Sequence, residues 1–245
     1  MTRRKPGFPV WRAILGLWCT LKQYNWIFAA VLPLLTACQT SSTDSLKWAE
    51  DGVVTSMDDK KLQLDILGVY DNLSYAGQNY FAGFKIDKEG NNYPHIVRVG
   101  DDLSSVKYWP FEHIPNDIFI YQEKVHAVTT DGQVHTLQDE KWNPSDKKFP
   151  RESQVVYSDY KNDLVVCYPA AMEKTGDHIS GCTSTSNNWN LDFVWLTIVP
   201  KVCNGKLHIV EENSISKLFK QVDLATGKIL KSETVKNLPH DICKL

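Results

Sequence analysis

The sequence predicts an all-β fold of antiparallel strands. Two observations carry this. Short runs rich in Val, Ile, Tyr, Phe and Thr alternate along the chain with Gly, Asn and Asp turns. Beyond the first 37 residues no long stretch has helical periodicity, and the best short helical candidate, Ala171 to Lys174, reads equally as a loop.

The elements follow in order. Gln39 to Ser45 is polar throughout, a flexible stretch that cannot build a core. Residues 38–46 are therefore expected as a tether and residues 47–245 as a single β-rich domain, its body starting near Leu46 or Trp48. Tyr80 to Ile86 reads as a strand, Asp87 to Asn92 as a turn and Tyr93 to Val99 as the returning strand. Val125 to Thr130 and Gln133 to Leu137 flank Asp131-Gly132, the strongest short hairpin signal in the chain. Leu207 to Glu211 is a further strand. Phe219 to Leu224 meets Lys228 to Lys231 across Ala225-Thr226-Gly227.

Some of these units repeat weakly. The segment Ile118 to Leu137 resembles a propeller blade, and so does Val202 to Val210 followed by Val222 to Ile229. Trp109, Trp142 and Trp189 fall near the ends of such units, at uneven spacings of 33 and 47 residues. Propeller repeats run about 40–50 residues. The resemblance implies a small propeller-like repeat architecture of four or five blades, with a β-sandwich as the alternative.

The N-terminal segment locates the protein. Arg3, Arg4, Lys5, Arg12 and Lys22 precede an apolar run from Trp26 to Leu35, and no acidic residue comes before Asp44. The run is about ten residues, against about 20 for a spanning helix. It ends at Leu35-Thr36-Ala37-Cys38, which resembles the lipobox of bacterial lipoproteins. A start at Leu21 would give a more compact signal of the same kind. The resemblance implies that residues 1–37 are a signal peptide, cut before Cys38, and that Cys38 carries the lipid. Gln39 follows, where an aspartate would resemble an inner-membrane retention signal. The implied location is the periplasmic face of the outer membrane, with the membrane contacted through lipid on Cys38.

Composition agrees. Five of the 27 basic residues and none of the 29 acidic ones lie in residues 1–37, so the remainder holds 22 against 29, a net charge near −7. That balance argues against nucleic acid and against a basic membrane-binding face. Four cysteines remain in the C-terminal half: Cys167, Cys182, Cys203 and Cys243. Their spacing has no Cys-x-x-Cys, and an even number in an oxidising compartment suggests two disulfides out of three possible pairings. Cys167–Cys182 would clip a hairpin turning near Lys174-Thr175-Gly176-Asp177. Cys203–Cys243 would tie the C-terminal tail to the start of a strand.

Candidate chemistry is sparse. A two-residue turn at Asp131-Gly132 would pair Val128 with His135 and His126 with Leu137, placing both histidines on one face within reach of one ion. Zinc needs another ligand and no nearby residue is compelling, so no metal is expected. Asp58-Asp59 and Asp101-Asp102 read as solvated turns. Ser184-Thr185-Ser186, near Asp177-His178, lacks the Gly-x-Ser-x-Gly elbow. No phosphate-binding glycine loop or dinucleotide fingerprint appears, and no cofactor is expected. The aromatics Tyr108, Trp109, Trp142, Tyr157, Tyr160, Tyr168, Trp189 and Trp195 point to recognition. Tyr108, Trp109, Trp142 and Trp189 are the candidate binding residues, as rigid anchors on loops, with about half of the aromatics expected in the core because antiparallel sheets use them heavily. The expectation is a non-enzymatic module that binds a periplasmic protein, one version being an immunity protein against a delivered toxin. An envelope-assembly partner and a glycan-binding or glycan-cleaving protein are the alternatives.

Overall fold

The computed structural model describes residues 46–48, 52–172, 178–194, 196, 198–212, 216–239 and 241–245. Thr43–Leu245 forms one compact unit. The first strands are β1 (Leu46–Trp48), β2 (Val53–Ser56) and β3 (Lys61–Gln63), which make a three-stranded sheet. A second sheet takes β4 (Leu67–Tyr75), β5 (Gln78–Ile86), β6 (Asn92–Gly100) and β7 (Val106–Pro110). The third takes β8 (Pro115–Tyr121), β9 (Lys124–Thr129), β10 (Gln133–Gln138) and β11 (Lys141–Lys148). The fourth takes β12 (Gln154–Ser158), β13 (Leu164–Met172), β14 (His178–Ser184) and β15 (Asn190–Asp192). The fifth takes β16 (Lys201–Cys203), β17 (Lys206–Glu212), β18 (Lys217–Asp223) and β19 (Ile229–Val235). Among the described residues the helical element is one short 3-10 turn, η1 (Ile242–Lys244). The chain is all-β, built from sheets of consecutive antiparallel strands.

Sheet packing explains why several strands read as unbroken apolar runs rather than alternating ones. Successive side chains of a strand point to opposite faces, and here both faces are covered. In β5, Tyr80 and Ala82 pack with Ile118, Ile120, Val125 and Ala127 of the third sheet. Phe81, between them, packs the other way with Leu46, Val54, Leu64 and Ile66. In β17, Leu207 and Ile209 pack with Val165, Cys167 and Cys182 of the fourth sheet, while Val210 packs with Phe219 and Ile242. Each fully buried Val, Leu, Ile or Phe among them contributes about 1.5–3 kcal/mol. First strands of neighbouring sheets also lie against one another: β4 on β8, β8 on β12, β12 on β16.

Two local expectations are corrected. Ala171 and Met172 are not helical: they end β13, opposite Ile179 and His178 of β14. A strand already paired from Val165 onward gains ladder bonds by continuing, whereas a four-residue helix has only its nucleation cost. The hairpin at Asp131-Gly132 forms, but its loop has three residues. Gly132 N–H donates to Thr129 O at 2.7 Å, and Gly132 has φ +87°. That is a turn closed by a left-handed glycine, which a three-residue loop requires. The register becomes His135 opposite Ala127 and Thr136 opposite His126. A one-residue slip moves a side chain to the other face, so His126 and His135 point to opposite sides of the sheet.

Candidate functional site

The first strands of the second, third and fourth sheets share an irregularity. Pairing slips between Leu67 and Asp71 in β4, between Pro115 and Asp117 in β8, and between Val155 and Tyr157 in β12. Pro115 has no N–H to give to a ladder, which favours a bulge at that position. After the bulges, Asp71 stands opposite Ala82 and Asp117 opposite Val128. Tyr157 takes the corresponding place in β12, opposite Val165.

Each aspartate reaches across to the next sheet. Ile118 N–H of β8 donates to Asp71 Oδ2 at 2.6 Å, and Val155 N–H of β12 donates to Asp117 Oδ2. The edge strand of a sheet leaves alternate N–H groups without a strand partner, and the two carboxyls satisfy these. The two carboxyls are near enough to act directly on each other. Burial pushes Asp71 up to about 6 against the opposing hydrogen bonds from Ile118 and Asp117. Burial and then the charge of Asp71 push Asp117 well above the ordinary carboxylate range. Two adjacent buried carboxyls resist ionising together, so both are pushed toward the protonated form.

These groups line a cavity of about 250 Å³ together with Tyr70, Asn116, Val156 and Val199. Tyr70 is 41% exposed and Val199 42% exposed at its edge. Asn116 is held by donation from Nδ2 to Ser153 O at 2.8 Å. Chemically the site offers an acidic wall and an apolar rim.

The acids at turns stand apart from this pair. Asp58 is tied to Lys60 at 2.7 Å and Asp102 accepts from Ser104 N at 3.0 Å, so both organise turns. Asp101 Oδ1 accepts from Asn79 Nδ2 at 2.7 Å. The sequence marks the pair by an aspartate inside a strand-forming run, Val69-Tyr70-Asp71 and Asn116-Asp117-Ile118, where this residue type is depleted.

The aromatic candidates are placed differently from expectation. Trp109 is 9% exposed and Trp189 is 8% exposed, so neither is an exposed loop anchor. Trp109 Nε1 donates to Glu140 O at 3.0 Å, in the β10–β11 turn of the next sheet. Trp189 Nε1 donates to Leu224 O at 2.8 Å, in the β18–β19 connection. Each is a large apolar body whose one polar atom finds a carbonyl, which is how buried indoles are accommodated. Trp142 is half-buried, edge-on to Trp109 at 6.1 Å and to Phe111 at 5.6 Å. Tyr108 is half-buried and its hydroxyl accepts from Asp65 N at 3.0 Å.

Cys167 and Cys182 are directly opposite across β13 and β14 and are disulfide-bonded. Cys203 at the end of β16 is bonded to Cys243 in η1. Ser184 donates to Asp163 Oδ1 at 2.8 Å and accepts from Asn187 N, building a turn. Cys38, Asp177 and Trp195 lie outside the described residues.

No family model matches the chain, and no curated protein matches it. Among solved structures it is similar to the computationally designed protein Ika8, at 11% identity and a TM-score of 0.40, over 77% of this chain and 70% of that one. It is also similar to a Thermus thermophilus protein described as an oxidoreductase (glucose dehydrogenase). That likeness has 10% identity and a TM-score of 0.46, over 77% of this chain and 80% of that one.

Proposed function

We propose that the protein is a lipid-anchored periplasmic binding module, held at the outer membrane through Cys38, whose sheets are the blades of a small propeller. Consecutive meander sheets with their first strands gathered together support the propeller reading. A sandwich would need two facing sheets, and the described strands fall into five.

The observation that carries a binding role is the cavity at Asp71 and Asp117, with exposed Tyr70 and Val199 on its rim. Tyr offers rigid contact area at low entropic cost. A net charge near −7 beyond residue 37 and an acidic wall favour a protein partner that presents a basic side chain. An immunity role against a toxin delivered into the periplasm is one version of this reading. A secreted lipase or peptidoglycan hydrolase encoded next door would favour that version.

The test is affinity capture of the anchored protein followed by mass spectrometry, with Tyr70→Ala and Val199→Asp alongside. Both positions are exposed, so melting should stay within a few degrees of wild type. Capture of one defined partner should fall about tenfold or more in each variant. Undiminished capture would remove this face from the binding reading.

A further inference from the structure

A second cavity, of about 210 Å³, opens between the third and fourth sheets, away from the carboxyl pair. Its origin lies in β11. Gln133 pairs with Lys148 and His135 with Pro144, so Ser145, Asp146 and Lys147 stand opposite Val134 alone. Pro144 cannot donate to the ladder, and the strand bulges outward after it. Gln133 Nε2 donates to Ser145 O at 2.7 Å and holds the bulge in place. Bulges of this kind commonly re-aim a side chain at a site.

The interior is aromatic and apolar. Phe119, Phe149 and Leu164 contribute walls, with the ring of His126 stacked on Phe119 at 5.4 Å. His126 Nε2–H donates to Tyr121 O at 3.0 Å, which leaves Nδ1 to accept from Thr136 Oγ1 at 3.0 Å. Burial lowers the pKa of this imidazole, and the charges of Lys147 and Lys124 lower it further. It is a neutral wall whose two nitrogens are already engaged.

The mouth is charged. Lys147 Nζ sits 3.7 Å from the Tyr121 ring centre, and Lys124 lines the same opening. None of the ion pairs among the described residues engages either lysine. Asp146 is the one acidic side chain at the opening, which leaves a net positive mouth.

We propose that this crevice binds a small amphipathic carboxylate, its aromatic or branched body between Phe119 and Phe149 and its anionic end at Lys124 and Lys147. The volume is below the about 300 Å³ at which drug-sized sites begin, so the fit is to a ligand of about ten non-hydrogen atoms. Asp146 disfavours a dianion.

The test titrates the full protein with 3-phenylpropionate at neutral pH and low salt, followed by calorimetry or chemical shifts. Its neutral isostere 3-phenylpropanamide serves as comparison. Saturable binding with a Kd below about 1 mM is expected, and the amide should bind about tenfold more weakly. The Lys124→Gln/Lys147→Gln double variant changes exposed side chains only and should reduce the acid to the affinity of the amide, with amide binding unchanged. Val134→Phe, which fills the crevice, should abolish both. Absence of saturation up to about 10 mM, equal affinity for acid and amide, or wild-type affinity in the double lysine variant would each overturn the proposal.

Discussion

At the scale of single residues, Asp71 and Asp117 set the sign of a pH dependence. An aspartate in the unfolded chain titrates near 3.9. With both carboxyls raised by burial, the folded state binds protons more tightly than the unfolded one, for Asp71 between that value and about 6. Stability contributed by the protonated pair is therefore full below about pH 4 and is lost as pH rises through the folded values. Turn carboxylates such as Asp87, Asp102 and Asp223 are lowered, chiefly by hydrogen bonds, and act in the opposite sense at more acidic pH. Asp117→Asn keeps an acceptor for Val155 N–H and an amide donor for Asp71, yet removes one charge. Its melting temperature should fall at most half as far as that of wild type between pH 5 and pH 8. An unchanged profile would place the dependence elsewhere.

At the scale of elements, hairpins were legible in the sequence and their neighbours were not. The turns at residues 87–91 and 224–228 fall within a residue or so of where the sequence indicated them, because Gly, Asn and Asp carry that information locally. The Asp131-Gly132 turn was legible but its loop length was not, since Gly132 closes a two-residue or a three-residue loop equally well. That single residue decided the faces of His126 and His135. Burial of Trp109 and Trp189 was invisible because it depends on which sheet packs against which. The disulfides join the two levels. Cys167–Cys182 has a sequence separation of 15 and Cys203–Cys243 one of 40. Constraint of the unfolded chain grows slowly with loop length, giving about 3 and about 4 kcal/mol respectively. Cys203→Ala/Cys243→Ala should therefore cost slightly more in urea unfolding than Cys167→Ala/Cys182→Ala. It should also raise amide exchange at Val210 and Phe219, which η1 covers through Ile242. Exchange unchanged at both amides would mean that the tail docks without its covalent tie.

At the scale of the whole molecule, charge and the N-terminal pattern argue about location more strongly than the sheets argue about activity. A segment with 22 basic and 29 acidic residues has no net attraction to an anionic bilayer. Membrane residence in the proposed reading therefore rests on the acyl chains at Cys38 alone. Each buried methylene contributes about 0.8 kcal/mol, one chain gives marginal binding, and two or three give a stable anchor. Loss of the acylated thiol should then act as a switch rather than a weakening. In cells fed labelled palmitate, Cys38→Ser should incorporate no label, and the protein should leave the membrane fraction entirely. The folded part should be unaffected, since the four late cysteines pair among themselves. Peptide mapping without reduction should still find Cys167 joined to Cys182 and Cys203 to Cys243. A Cys38→Ser protein that stays in the membrane fraction with label attached would end the lipoprotein reading, and with it the placement of the binding face at the outer membrane.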